Sequence, residues 1–130
     1  MTRTFPQEVL DQIAQEQLHF ERAPQAFFEA WKRGAEIAGA QWFGDGTPEG
    51  LQRATSKWDL RPNMPMLNDA MGVLSNGQRM FLAAMASFYN ACDSAAMLER
   101  CGFSGLSDLG GLDLERRQVI ADLVLHYSGW

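Results

Sequence analysis

Apolar residues recur at spacings of three and four over most of this chain, and no stretch alternates with the period of two that marks a strand. Over residues 5–21, Val9, Leu10, Ile13, Ala14 and Leu18 form one stripe while Glu8, Asp11, Gln12, Gln15 and Glu16 face water, which predicts an amphipathic helix. Ala23-Pro24 opens a second helix to about Ala40 without a good cap, with Phe27, Phe28, Trp31, Ala35 and Ala38 on one face. The run Gly44-Asp45-Gly46-Thr47-Pro48 breaks the pattern, and a short helix carrying Leu51, Ala54 and Trp58 follows. Residues 61–65 hold two prolines, each of which disfavours helix at the residue before it, so this stretch reads as extended. Leu67, Ala70, Met71 and Leu74 predict a short helix over 66–74. Phe81, Ala84, Met85 and Phe88, widened by Met80, Leu82, Ala83 and Tyr89, predict a central helix to about Ala91 that others surround. Ala96, Met97 and Cys101 share one side of a shorter helix, and Leu106, Leu109 and Leu112 fit a single tight turn. Val119, Ile120, Leu123, Val124 and Tyr127 are the expected buried face of a last helix starting at Leu114.

Punctuation supports this division. Thr4 with Gln7 and Ser75 with Gln78 fit the capping-box spacing, in which a hydroxyl and a carboxamide satisfy the free N–H groups of a first helical turn. Thr47-Pro48, Asp93 and Asp113 are further caps, and Gly102 stands where a left-handed C-cap glycine is expected. These signals put helix starts near residues 5, 24, 48, 76, 94 and 114. The expected fold is all-α, a compact irregular bundle of about six to seven helices in one domain over 1–130, with a weak internal break at 59–65.

Composition narrows the function more by exclusion than by indication. Eight Phe, four Trp and seven Met are bulky, adaptable core material. The net charge of −5 is spread along the chain and no basic stripe could neutralise a run of phosphates, so nucleic acid is not an expected partner. The first residues lack the apolar core of a secretory signal, and no apolar run reaches the ~20 residues of a membrane span. A cytoplasmic location is therefore expected, with Cys92 and Cys101 reduced and at least partly buried.

Candidate chemistry is sparse. Glu16 and His19 lie three apart on a helix, the spacing that points a carboxylate and an imidazole at one metal in di-iron bundles, and Asp122 and His126 lie four apart on the last helix. A second Glu-x-x-His pair is missing, so rim positions for these four polar side chains are the stronger reading and no metal or other cofactor is expected. Cys101 sits near a helix end, where the dipole does not favour a thiolate. Residues 44–50 are rich in glycine but carry Asp45 and Glu49 and no cation, so they read as a connector rather than a phosphate cradle. No Ser/His/Asp set, dinucleotide fingerprint or phosphate loop occurs, which argues against an enzyme.

The remaining hint is aromatic. Phe20, Trp42, Phe43, Trp58 and Trp130 fall at helix ends or in connectors, off the main stripes. Exposed together they would form a protein-binding patch; otherwise they close the ends of the bundle. The expectation is a small non-enzymatic interaction or accessory protein with a protein partner or a second copy of itself, and Trp42, Phe43, Trp58 and Trp130 as contacts. The alternative is a small-ligand or metal-binding protein, or an enzyme, with a cavity walled by Met and aromatic side chains.

Overall fold

A computed structural model describes residues 5–130 and shows an all-α bundle. Among the described residues there are six α-helices: α1 (Gln7–Ala38), α2 (Pro48–Arg53), α3 (Met64–Ala70), α4 (Asn76–Ser87), α5 (Ala91–Arg100) and α6 (Leu114–His126). Three short 3₁₀ segments join them: η1 (Ala40–Trp42), η2 (Lys57–Leu60) and η3 (Leu106–Gly111). Among the described residues the only extended pairing is an isolated antiparallel bridge between Phe43 and Pro62, where Gly44 N–H donates to Arg61 O at 2.9 Å.

Most caps act as expected. Thr47 accepts from the Gly50 N–H with Pro48 behind it, Ser75 and Gln78 form their capping box, and Asp113 accepts from the Arg116 N–H. Gly102 adopts φ +80° and closes α5, with the Phe103 N–H donating to Leu98 O at 3.0 Å. Two starts differ. Asn63 caps α3, which begins two residues earlier than the proline pair suggested because Pro65 fits the first turn, where no N–H is needed. Asn90 rather than Asp93 caps α5: the Asn90 carboxamide oxygen accepts from the Asp93 N–H at 3.0 Å, and Asp93 lies inside the first turn. The capping hydroxyl at Thr4 lies outside the described residues.

The largest departure is Pro24, which does not start a helix. It lies inside α1, a single helix of 32 residues. A proline in a helix interior removes one N–H bond and crowds the preceding turn, at a cost of ~3 kcal/mol, but a new helix start would leave several N–H groups unpaired. Ala23, the residue before Pro24, has no side-chain acceptor to cap such a start. The second half of α1 is moreover held by burial of Ala23, Phe27, Phe28, Ala30, Trp31, Gly34 and Ala35.

One core runs through the bundle, and residues on both sides of 59–65 share it. Six consecutive residues of α4, Phe81 to Ala86, are buried, so this helix is enclosed on its whole circumference. Helix α6 lies antiparallel to α1: Gly34 faces Val119, Arg33 pairs with Asp122 at 2.5 Å, and His19 reaches the Leu125 carbonyl. Gly34 permits the approach. A Cβ there would lie 2.7 Å from Met85 Cε and 2.9 Å from Val119 Cγ1. Trp31, fully buried, donates its indole N–H to Leu60 O at 2.8 Å and so ties α1 to η2.

Two stability tests follow from these contacts. Gly34→Ala should lower unfolding free energy by about 1–3 kcal/mol in urea melts despite alanine's better helix propensity, because two buried side chains must move. Trp31→Phe should cost about 1–3 kcal/mol by leaving the buried Leu60 carbonyl without its donor, with far-UV dichroism preserved.

Candidate functional site

The aromatic residues expected to meet a partner do not form one surface. Trp42 and Phe43 are 8% and 2% exposed and belong to the core, so they are unavailable as contacts. The Phe43–Pro62 bridge turns this connector inward, and Phe43 meets Trp31 edge to face at 5.7 Å. Trp130 is half-buried, with its ring 4.8 Å from Trp31 and 5.1 Å from Tyr89. Trp58 alone of the four is exposed. It does not share a helical stripe with Leu51 and Ala54, because α2 ends at Arg53, and its ring leans on Trp130 at 6.1 Å. Lys57 covers this cluster, donating to Gly129 O at 2.7 Å with its ammonium 5.3 Å from the Trp130 ring centre; burial pushes its pKa down. These aromatics close one end of the bundle.

The polar quartet is brought only partly together. His19 and His126 stack with ring centres 5.2 Å apart, and His19 Nε2 lies 2.9 Å from Leu125 O, the geometry of a ring N–H donating to a helix C-terminal carbonyl. Asp122 is engaged elsewhere, by Arg33 at 2.5 Å and the Gln118 carboxamide at 3.0 Å. Glu16 is exposed on α1, where Gln12 donates to it at 3.4 Å. Among the described residues no group of three or more His, Cys, Asp or Glu side chains is placed to hold a metal ion. What the quartet does is local: His19 anchors α1 to the last turn of α6.

The thiols are unremarkable in chemistry. Burial pushes the Cys101 thiol up, against the weaker pull of Arg79 and Arg100, which opposes thiolate formation. Cys92 is exposed rather than partly buried, since it faces outward from the first turn of α5.

Two apolar surfaces lie where the hydrophobic pattern suggested buried faces. The first is on α1. Residues 5–18 are exposed throughout, so the first half of the helix projects as an arm. Val9, Leu10 and Ile13 precede Phe27, Phe28 and Trp31 by eighteen residues each, about five turns of 3.6, and so share their face. The downstream trio is 3%, 8% and 0% exposed; the upstream trio is 37%, 44% and 41% exposed. Phe20, on the same side, is 63% exposed, and Leu18 is bare as well. The expected amphipathic helix has formed, and nothing in the bundle reaches its apolar side.

The second surface is on α6. Val119, Ile120 and Leu123 pack inward as expected, but Val124 does not, at 64% exposed; Tyr127 leans its ring on Phe27 and Phe88 while staying 45% exposed. Val124 is joined on the outside by Leu114 and Leu125, so α6 is apolar on two faces. An open trough of about 640 Å³ lies between Leu106 and Leu109 of η3 and Ile120, Val124 and Leu125 of α6. Ala121 leaves room within it. Among the described residues Arg117 is the one charged residue lining it, and its guanidinium reaches the Gly110 and Leu112 carbonyls.

Comparison with known proteins adds no assignment: no protein-family model, curated protein or solved structure matches the chain.

Electrostatics in the connectors are structural. Thr47 donates its hydroxyl and backbone N–H to Asp45, the Thr55 and Ser56 N–H groups donate to Asp59, those of Ser104 and Gly105 to Asp108, and that of Arg116 to Asp113. These bonds hold all four carboxyls below the ordinary value of 3.8. In acid the unfolded chain therefore binds more protons than the folded one. Their stabilisation is complete above the ordinary carboxyl value and lost as pH falls through the lower folded values. Thermal midpoints should hold steady from neutral pH to that value and drop below it, with a shallower acid limb for Asp59→Asn. An identical limb in that variant would assign the acid sensitivity elsewhere.

Proposed function

We propose that this is a small interaction protein without chemistry of its own, working by helix-to-helix contact through the projecting half of α1. The observation that carries the reading is the contrast along that helix. One apolar face is sealed at Phe27, Phe28 and Trp31 and left bare five turns upstream at Val9, Leu10 and Ile13. Exposing such a stripe is unfavourable by roughly 25 cal/mol for each Å² of apolar area, and covering it with a second helix recovers that free energy. The presentation suits helix-in-groove recognition, in which side chains on one helical face enter an apolar channel; Val9 and Ile13 are four apart and Leu10 and Ile13 three apart.

A protein is a better fit to this arm than a lipid surface. Over residues 7–22 the carboxylates of Glu8, Asp11, Glu16 and Glu21 face a single cation, Arg22, for a net charge of −3. Helices that lie on membranes carry Lys and Arg on the polar face, and an acidic arm is repelled by anionic headgroups. Among the described residues no helix is long and apolar enough to cross a membrane. We place the protein in the cytoplasm, where an exposed free thiol such as Cys92 stays reduced.

A photo-crosslinking residue in place of Ile13, introduced in cells that express the chain, tests the reading directly. It should yield a protein adduct at that position and none with the same probe at the exposed, polar Gln52. Equal labelling at both positions, or no adduct at Ile13, would remove the arm as a contact element.

A further inference from the structure

The arm and the trough on α6 are both apolar and both uncovered. We infer that they bind each other between two copies of the chain, the arm of each copy lying in the η3–α6 trough of the other. This rests on the reading of the arm as a contact element and adds the identity of its partner.

An arm cannot fill the trough of its own chain. Helix α1 is unbroken from Gln7 to Ala38 and antiparallel to α6, and His19 already meets the last turn of α6 at Leu125 O. Residues 7–18 therefore run on past the end of α6, for about 18 Å at 1.5 Å per residue, away from the trough beside it. The occupant must come from another molecule.

Three features favour a second copy. The first is charge: Glu16 and Glu21 border the arm's stripe by helical periodicity, and among the described residues Arg117 is the only charged side chain lining the trough. The second is closure. A twofold axis exchanging arms places both uncovered surfaces of both chains in contact and leaves neither for further growth, as an isologous dimer requires. The third is extent. A stable interface takes ~800 Å² from each partner, spread over ~20–30 residues, which exceeds what one 16-residue arm offers with one face. When each copy contributes its arm and its trough, the contact doubles. At the centre Ala121 leaves space for an incoming Leu10 or Ile13, and Leu106, 80% exposed, would close over it.

Sedimentation velocity on the full chain and two double variants tests the exchange. The arm variant is Leu10→Glu with Ile13→Glu, and the trough variant is Ala121→Gln with Val124→Gln. All four sites are exposed and the new residues are good helix formers, so dichroism and thermal midpoint should match the parent protein. The parent should dimerise, and each variant alone should associate about 100-fold more weakly, because every contact in its dimer is damaged. An equal mixture of the two variants should associate more tightly than either variant alone and less tightly than the parent, since one of its two arm–trough contacts is intact. A trough variant that dimerises like the parent would overturn the exchange and point to arm-on-arm pairing, leaving the arm as a contact element. A monomeric parent whose Ile13 probe still captures a different protein would overturn the second copy as partner while the proposed function stands. An arm variant that dimerises like the parent would overturn the exchange outright, and the proposed function is then judged by the Ile13 probe alone.

Discussion

The bond from the Trp31 indole to the Leu60 carbonyl is the interaction on which the remainder of the bundle depends. It is 2.8 Å long, fully buried, and joins residues 29 apart in sequence. Breaking it would strand a donor and an acceptor in an apolar interior, which costs more than the bond contributes when made. Around it Trp31 meets Phe27, Phe43 and Trp130, so one side chain gathers α1, the η1 connector, η2 and the end of the chain. With those segments pinned, α4 and α6 have a fixed wall to pack on. Gly34, one turn further along α1, then sets how closely Met85 and Val119 approach.

That anchoring divides α1 into two physical regimes. Downstream of Ala23 the helix is held by burial. Upstream it is held by its connection to the packed half, by the His19 contact with α6 and by i, i+4 side-chain bonds such as Gln7 to Asp11 at 2.8 Å. Isolated helices of this length are marginal in water, but extending an existing helix avoids the costly nucleation step. The arm is thus affordable as a helix while its apolar side stays wet, a state that cover by another helix would stabilise.

Helix α6 makes the same point from the other end of the chain. Its inward face is sealed against α1 and α4, while Leu114, Val124 and Leu125 stand outside beside η3. A helix apolar on two faces usually sits between two layers. Here the described chain supplies one layer only, and the trough marks where the second would lie.

The sequence by itself determined that the chain is helical, where most helices start, and which residues lie on apolar faces, because caps and periodicity are local properties of the backbone and of side-chain spacing. Ser75 with Gln78, Thr47 with Pro48 and Asp113 were legible in this way. The same signals misplaced Pro24, where the missing cap was the better clue, and Asp93, where Asn90 three residues earlier accepts from the Asp93 N–H and starts the helix sooner. They also sent Trp42 and Phe43 to the surface and Val124 and the Val9–Ile13 stripe to the interior. Only the tertiary structure decided these. Periodicity establishes that a residue lies on an apolar face, but whether that face is covered depends on which distant segment reaches it. The Phe43–Pro62 bridge brings cover to one pair of aromatics, and the unbroken run of α1 past the end of α6 carries the arm beyond any among the described residues.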